Sequence, residues 1–345
     1  MTDLSLIKIK TMQWVYAVNI PLILFILLVA CTKDTADSPP LNSVSKNILI
    51  YTSTYPLYEW VSRLTQGSAT VKRLLPDTAD PAISVPYAET LANAANARLI
   101  ILNGAQFENW KNQVSLPESR VLDTASVFQG SWLHYKTSVS HSHGPEGKHS
   151  HEGVDGHTWL DPLNAQAQLE SIYLRLKQDQ LESNDVLKKR YQTIFLELST
   201  VHQGWTELAT QLKEVPLIAA HPAYNYLASR YQLDIQSLDI DPSKSLTTQS
   251  LDEVTQACSH QRSKLSRKSA PCIILWESDA LPTTINQLKE REIYSLVIRP
   301  VESSPPEGKY ADAVLTDQQN SRSLLKSIHT RDAPTPTTQV PSVSQ

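Results

Sequence analysis

Eight apolar residues, Leu187, Tyr191, Ile194, Leu198, Val201, Trp205, Leu208 and Leu212, follow one another at alternating spacings of four and three. In a chain with 3.6 residues per turn that alternation keeps one stripe on one side of an α-helix. Ser183 or Asn184 offers the N-cap. The spacing predicts a helix over 183–214, about 45 Å long at 1.5 Å per residue. Such a rod either pairs with a second copy as a coiled coil or forms a spine packed across two units of one chain. The segments on either side favour the spine, and with it a monomer.

Upstream, short apolar runs at 47–51, 71–75 and 97–102 read as strands. Helical patterns lie between and after them, at 58–64, 86–95 (with Pro86 at its start), 107–114 and 162–178. Downstream, strands at 216–220, 234–238, 272–276 and 294–298 alternate with helices at 224–231, 251–259, 285–290 and 318–330. Alternation of strand and helix predicts an α/β fold. The expected architecture is two lobes, 47–182 and 215–330, each a parallel sheet flanked by helices, joined by one long spine helix.

The N-terminus sets the compartment. Lys8 and Lys10 precede an apolar run that ends Leu28-Val29-Ala30-Cys31, the arrangement of an export signal. Its uninterrupted core, 20–30, is shorter than the roughly 20 residues a membrane span needs. The ending resembles a bacterial lipobox, which implies a signal peptide over 1–30, lipidation of Cys31 and an extracytoplasmic place in the cell envelope. Polar, Pro-containing residues 31–46 read as a flexible tether, and 331–345 as a disordered tail. Cys258 and Cys272 are the two remaining cysteines. In an oxidising compartment they are candidates for a disulfide, with a buried small hydrophobe the alternative for Cys272.

A formal charge of −4 with no Lys/Arg stripe argues against nucleic acid as a partner. There is no Gly-x-Ser-x-Gly elbow, no phosphate-binding Gly-rich loop and no His-Glu-x-x-His, so nothing marks an enzyme.

Histidine is where the chemistry concentrates. Five of the ten histidines fall at 141, 143, 149, 151 and 157. His141, His143, His149 and His151 form two His-x-His pairs in a Gly-containing loop within 138–157. Neutral imidazole suits zinc, nickel and copper, and a flexible loop holds them weakly. A metallohydrolase would need these pairs at strand ends, whereas the pattern puts them in a loop. His157 lies ahead of a helix opening at Pro162, as ligand, capping donor or satisfied core group. His221 follows the strand at 216–220, the end that faces the crevice in open α/β sheets, and reads equally as ligand or as structural residue.

Four blocks then bring a family into view. They are Leu75-Pro-Asp-Thr-Ala-Asp-Pro81 with Tyr87-Ala-Glu89, Asn103-Gly104 with Phe107-Glu-Asn-Trp110, His157-Thr-Trp-Leu-Asp-Pro162-Leu-Asn-Ala165, and His221-Pro-Ala-Tyr-Asn-Tyr226-Leu. Over about 47–328 the chain resembles the zinc- and manganese-binding lipoproteins that serve ABC importers. The His157 block with the His loop upstream resembles the zinc branch. The resemblance implies Zn²⁺, or Mn²⁺, carried as cargo between two lobes, a permease and an ATPase as partners, and His157 and His221 as ligands. It also shows departures. Ala82 stands where the family has its first His ligand, and Arg299-Pro300 where it has an Asp. Asp77, Asp80, Glu89, Glu302 and the loop histidines are the candidate replacements. Glu277 matches a family acidic position and otherwise reads as a strand-end carboxylate; Trp159 and Trp110 read as packing residues. A degenerate member serving as metal buffer or as adhesion or assembly lipoprotein is the alternative reading.

Overall fold

A computed structural model describes residues 48–331 apart from 82, 136–138, 143–147, 152 and 267–269. The expected signal, Cys31, the tether, Ala82, His143 and the tail from 332 lie outside the described residues.

The chain opens with β1 (Leu49–Thr52), α1 (Tyr55–Leu64), β2 (Thr70–Arg73), α2 (Ala88–Asn96), β3 (Leu99–Leu102) and β4 (Val121–Asp123). These strands form one parallel sheet in the order β2-β1-β3-β4. β5 (Val139–Ser142) and β6 (Lys148–His151) pair antiparallel beside it in sequence. After them come α3 (Pro162–Gln178) and α4 (Asn184–Leu212). The second half runs β7 (Leu217–Ala219), α5 (Asn225–Tyr231), β8 (Ile235–Ser237), α6 (Thr248–Lys264), β9 (Cys272–Trp276), α7 (Pro282–Lys289), β10 (Ile293–Val297) and α8 (Tyr310–Arg331). Its parallel sheet has the order β10-β9-β7-β8. The fold is therefore two parallel sheets flanked by helices, with one long helix between them in sequence.

Why α4 forms is plain from its stripe. Leu187, Ile194, Leu198, Val201, Trp205, Leu208 and Leu212 are buried within the chain, and Tyr191 stacks on Tyr173 with ring centroids 4.6 Å apart. One continuous core joins them to Ile50, Leu99 and Ile101 of the first sheet and to Leu217, Ile273 and Leu275 of the second. The stripe is consumed by the chain's own two sheets, as expected of a spine. The other face of the second sheet packs on α6, where Cys258 and Cys272 are bonded with Cα atoms 5.8 Å apart.

Several expectations needed correction. Residues 107–114 give only a 3₁₀ turn at Asn109–Gln113. Asn109 and Asn112 are poor helix formers, and the buried Phe107 and Trp110 dictate the path instead. α2 begins at Ala88, two residues after Pro86. β4 was not foreseen because three half-buried residues leave no periodicity to read. α8 starts at Tyr310, well before Gln318, because its first turns bury Tyr310, Ala311, Ala313 and Val314, a stripe too small-sided to stand out. The loop expected around the histidines contains paired strands, with His141 opposite His149 and Val139 opposite His151.

Candidate metal centre

In each sheet the strand order reverses between its first and third strands, β1 and β3 in one and β7 and β9 in the other. The crevice of an open parallel sheet lies at such a switch, beyond the carboxyl ends of the strands. His221 stands two residues past β7, and Glu277 directly follows β9. Asn103 directly follows β3.

Asn103 builds the platform for His157. Its side chain donates to the Gly156 carbonyl at 2.8 Å and accepts from Thr158 Oγ1 at 3.0 Å and Gln168 Nε2 at 2.9 Å. The turn after it is tight: Gly104 has φ +83°, and a Cβ there would collide with Asp123. A Cβ on Gly156 would meet Phe107 at 2.7 Å, so glycine there lets Phe107 reach the ring of His157 edge-on, with centroids 5.6 Å apart.

The His157 ring is buried and clasped at both nitrogens. Nδ1 lies 2.8 Å from Oδ1 of the fully buried Asp155, and Nε2 lies 3.2 Å from Glu302 Oε1. Burial alone would lower its pKa. The hydrogen bonds to Asp155 and Glu302 outweigh burial and raise it to about 10. His221, 7% exposed, has Nδ1 3.7 Å from Glu277 Oε2. Burial pushes the Glu277 carboxyl up to about 8, with the nearby Glu302 charge adding to the effect.

The two histidines, 64 positions apart, meet with ring centroids 6.0 Å apart. Two imidazoles sharing one zinc at ~2 Å through their ring nitrogens place their centroids roughly 5–6 Å apart. A cavity of about 480 Å³ opens beside them, with Asp80, His221, Asp241, Glu277 and Glu302 in its wall. Among the described residues no three His, Cys, Asp or Glu side chains already surround one point as metal ligands. Glu302 faces the nitrogen a metal would take, so a closed site requires its carboxylate to turn.

Arg299 also lines that cavity, and carboxylates hold its guanidinium there. Its guanidinium bonds Asp317 at 2.7 Å and Glu307 at 2.9 Å, and its backbone N–H donates to Asp317 at 2.8 Å. The repulsion expected between Arg299 and a cation is thus offset by two carboxylates, and the residue clamps the loop that bears Glu302. That loop is strained and held from several sides. Val301 is buried at φ +61°, a region a β-branched residue rarely occupies. Trp159 Nε1 donates to the Pro300 carbonyl at 2.7 Å, and the Tyr55 N–H donates to the Glu302 carbonyl at 3.0 Å.

Of the other candidates, Asp80 lines the cavity, whereas Asp77 is committed to Arg73 and to Ser304. Glu89 is exposed on α2 and is absent from the cavity wall. Glu277 is the strand-end carboxylate expected after β9, and it shares the cavity with His221. Asp155, Tyr135 and Asn225, which surround His157 from behind, were missed. The only available signal was an acid two residues before a histidine.

Comparison with known proteins follows the same lines. The family model "Zinc-uptake complex component A periplasmic" (ZnuA) matches residues 50–323. The zinc-binding lipoprotein AdcA of Streptococcus pneumoniae is 24% identical over 318 residues, which is 90% of this chain and 60% of that protein. The high-affinity zinc uptake system protein ZnuA of Bacillus subtilis is 25% identical over 223 residues, 61% of this chain and 66% of that protein. The solved Zn(II)-bound ZnuA-like domain of S. pneumoniae AdcA superposes with a TM-score of 0.64 at 22% identity, covering 82% of this chain and 99% of that one. The chain thus spans about 60% of the length of AdcA.

Proposed function

The chain belongs to the periplasmic zinc-uptake complex component A family, and on that premise we propose that it captures Zn²⁺ in its cleft and delivers it to an ABC importer. The observation that carries the reading is the convergence of His157 and His221 beside Glu302 and Glu277. Imidazole and carboxylate together suit zinc, and Mn²⁺ is the rival cargo. Asp80, Asp241 and Glu302 in the cavity wall make its field favourable to a cation, and Glu277 joins them once its proton has left. Nε2 of His157 and a nitrogen of His221 bind the ion, and Glu302 and Glu277 turn in to complete a four-ligand shell. Glu302 thereby takes over from the family carboxylate that Arg299 replaces. The histidines at 141, 143, 149 and 151 hold further ions weakly.

The importer's permease and ATPase are the partners. Cys31 carries the lipid, which keeps the protein extracytoplasmic on the bacterial envelope. The protein performs no covalent chemistry and works as a monomer. A degenerate role, as buffer or adhesin, is not favoured, because the Arg299 charge is clamped on Asp317 and Glu307.

Competition for zinc against a chromophoric chelator tests the reading. The protein takes one tightly held equivalent, and His157→Ala or His221→Ala removes it. Tight binding unchanged in both variants would place the metal elsewhere.

A further inference from the structure

Asp155 is fully buried and accepts from four donors in three parts of the chain. Its Oδ1 takes the Tyr135 hydroxyl at 3.0 Å, the His157 backbone N–H at 2.9 Å and His157 Nδ1 at 2.8 Å. Its Oδ2 takes Asn225 Nδ2 at 2.9 Å. Asn225 is the first residue of α5, four positions beyond His221. A second bond runs beside it, from the Leu133 N–H to the Tyr226 hydroxyl at 3.0 Å. The two oxygens of one carboxylate therefore divide their work, one serving the histidine of the first half and the other the segment that carries the histidine of the second.

From this division we infer that Asp155 is the positioning residue for metal capture, an inference that rests on the cleft reading above. Through Oδ1 it keeps the proton of His157 on Nδ1, which directs the Nε2 lone pair into the cleft. A hydrogen-bonded carboxylate behind a ligating imidazole fixes both tautomer and ring orientation. Through Oδ2 and Asn225 it sets where that ring stands relative to His221. The pair of strands bearing His141 and His149 joins the same post. Tyr135 N–H bonds the Gly153 carbonyl at 3.0 Å and Asp155 N–H the Leu133 carbonyl at 2.8 Å, just outside those strands.

The test is nuclear magnetic resonance of ¹⁵N-histidine-labelled protein, together with zinc competition. In the zinc-bound wild type, His157 shows a protonated Nδ1 and a metal-bound Nε2; the reverse arrangement overturns the inference. In the metal-free protein a low-field Nδ1 proton of His157 is present. Asp155→Asn loses that resonance and weakens zinc by about 10- to 100-fold. Asn225→Ala keeps the resonance and still weakens zinc, because only the second oxygen loses its partner. A merely structural Asp155 would lower the melting temperature of Asp155→Asn and leave the ring signature unchanged, which overturns the inference. Failure of the cleft reading is distinguishable. His157→Ala would then bind zinc like wild type, while the Nδ1 proton in the metal-free protein would still report on Asp155.

Discussion

Nε2 of His157 and Oε1 of Glu302 lie 3.2 Å apart, a contact that ties a ring on the segment before α3 to a carboxylate on the loop between β10 and α8. With Nδ1 engaged by Asp155, Nε2 is the nitrogen that the proposed site offers to metal once its own proton has left. Ion and proton therefore compete for one atom.

Proton release follows. His157 is held near pKa 10 and Glu277 near 8, so at pH 7 both keep protons that zinc must displace. Titration calorimetry at pH 7 in two buffers of different ionisation enthalpy will show at least one proton released per zinc. Identical heats in both buffers would refute this. The same shifts set the stability of the metal-free protein. Both groups bind protons more tightly folded than unfolded, so stability falls as pH rises. The Glu277 contribution is present below about 4.5 and is lost as pH rises through 8. That of His157 is present below about 6.5 and is lost through 10. Thermal unfolding between pH 5 and 9 will show a falling midpoint without zinc and a smaller fall with it.

Arg299 is not a blemish that reversion repairs. Asp317 is 2% exposed and depends on that guanidinium. Arg299→Asp leaves the buried Asp317 carboxylate without its guanidinium, holding only a backbone N–H, and adds another carboxylate beside it, at a cost of about 3–5 kcal/mol. The family resemblance by itself suggests that this change, with Ala82→His, would tighten zinc. The clamp predicts instead a lower urea midpoint and weaker zinc. A midpoint equal to wild type would show the clamp to be dispensable.

Glu302 and the strand pair β5–β6 should separate cleanly in titration. Glu302→Gln keeps the shape and removes a charged ligand, so tight zinc weakens by more than roughly tenfold, or about 1.4 kcal/mol. Deleting residues 138–152 removes only the weak additional equivalents. Loss of the tight equivalent on deletion would mean that the loop histidines belong to the main site.

The proposed anchor depends on one atom, the Cys31 thiol, because only a thiol is acylated at such a signal. Cys31→Ser will move the protein from the detergent phase to the aqueous phase in phase partitioning. Unchanged partitioning would dismiss the lipobox.

What the sequence determined by itself is the part of the molecule written in short-range periodicity. The alternating stripe of α4 specified its own burial, since no other backbone keeps residues at spacings of four and three on one side. Runs such as Cys272–Trp276 specified buried strands, because five consecutive apolar residues need cover on both faces. His157 and His221 stood out through the blocks around them. Tertiary structure decided everything that depends on two distant segments meeting. Whether Arg299 faced a cation or a carboxylate was settled by Asp317 on α8, eighteen positions away and indistinguishable in sequence from any surface acid. The bond between Asp155 and Asn225 came into being only when the chain folded back over seventy positions to bring them within 2.9 Å. Hydrogen-bond partners have no sequence period. A carboxylate's chemistry is set by the donors and the burial that the fold supplies, and in this chain those came from segments the sequence holds far apart.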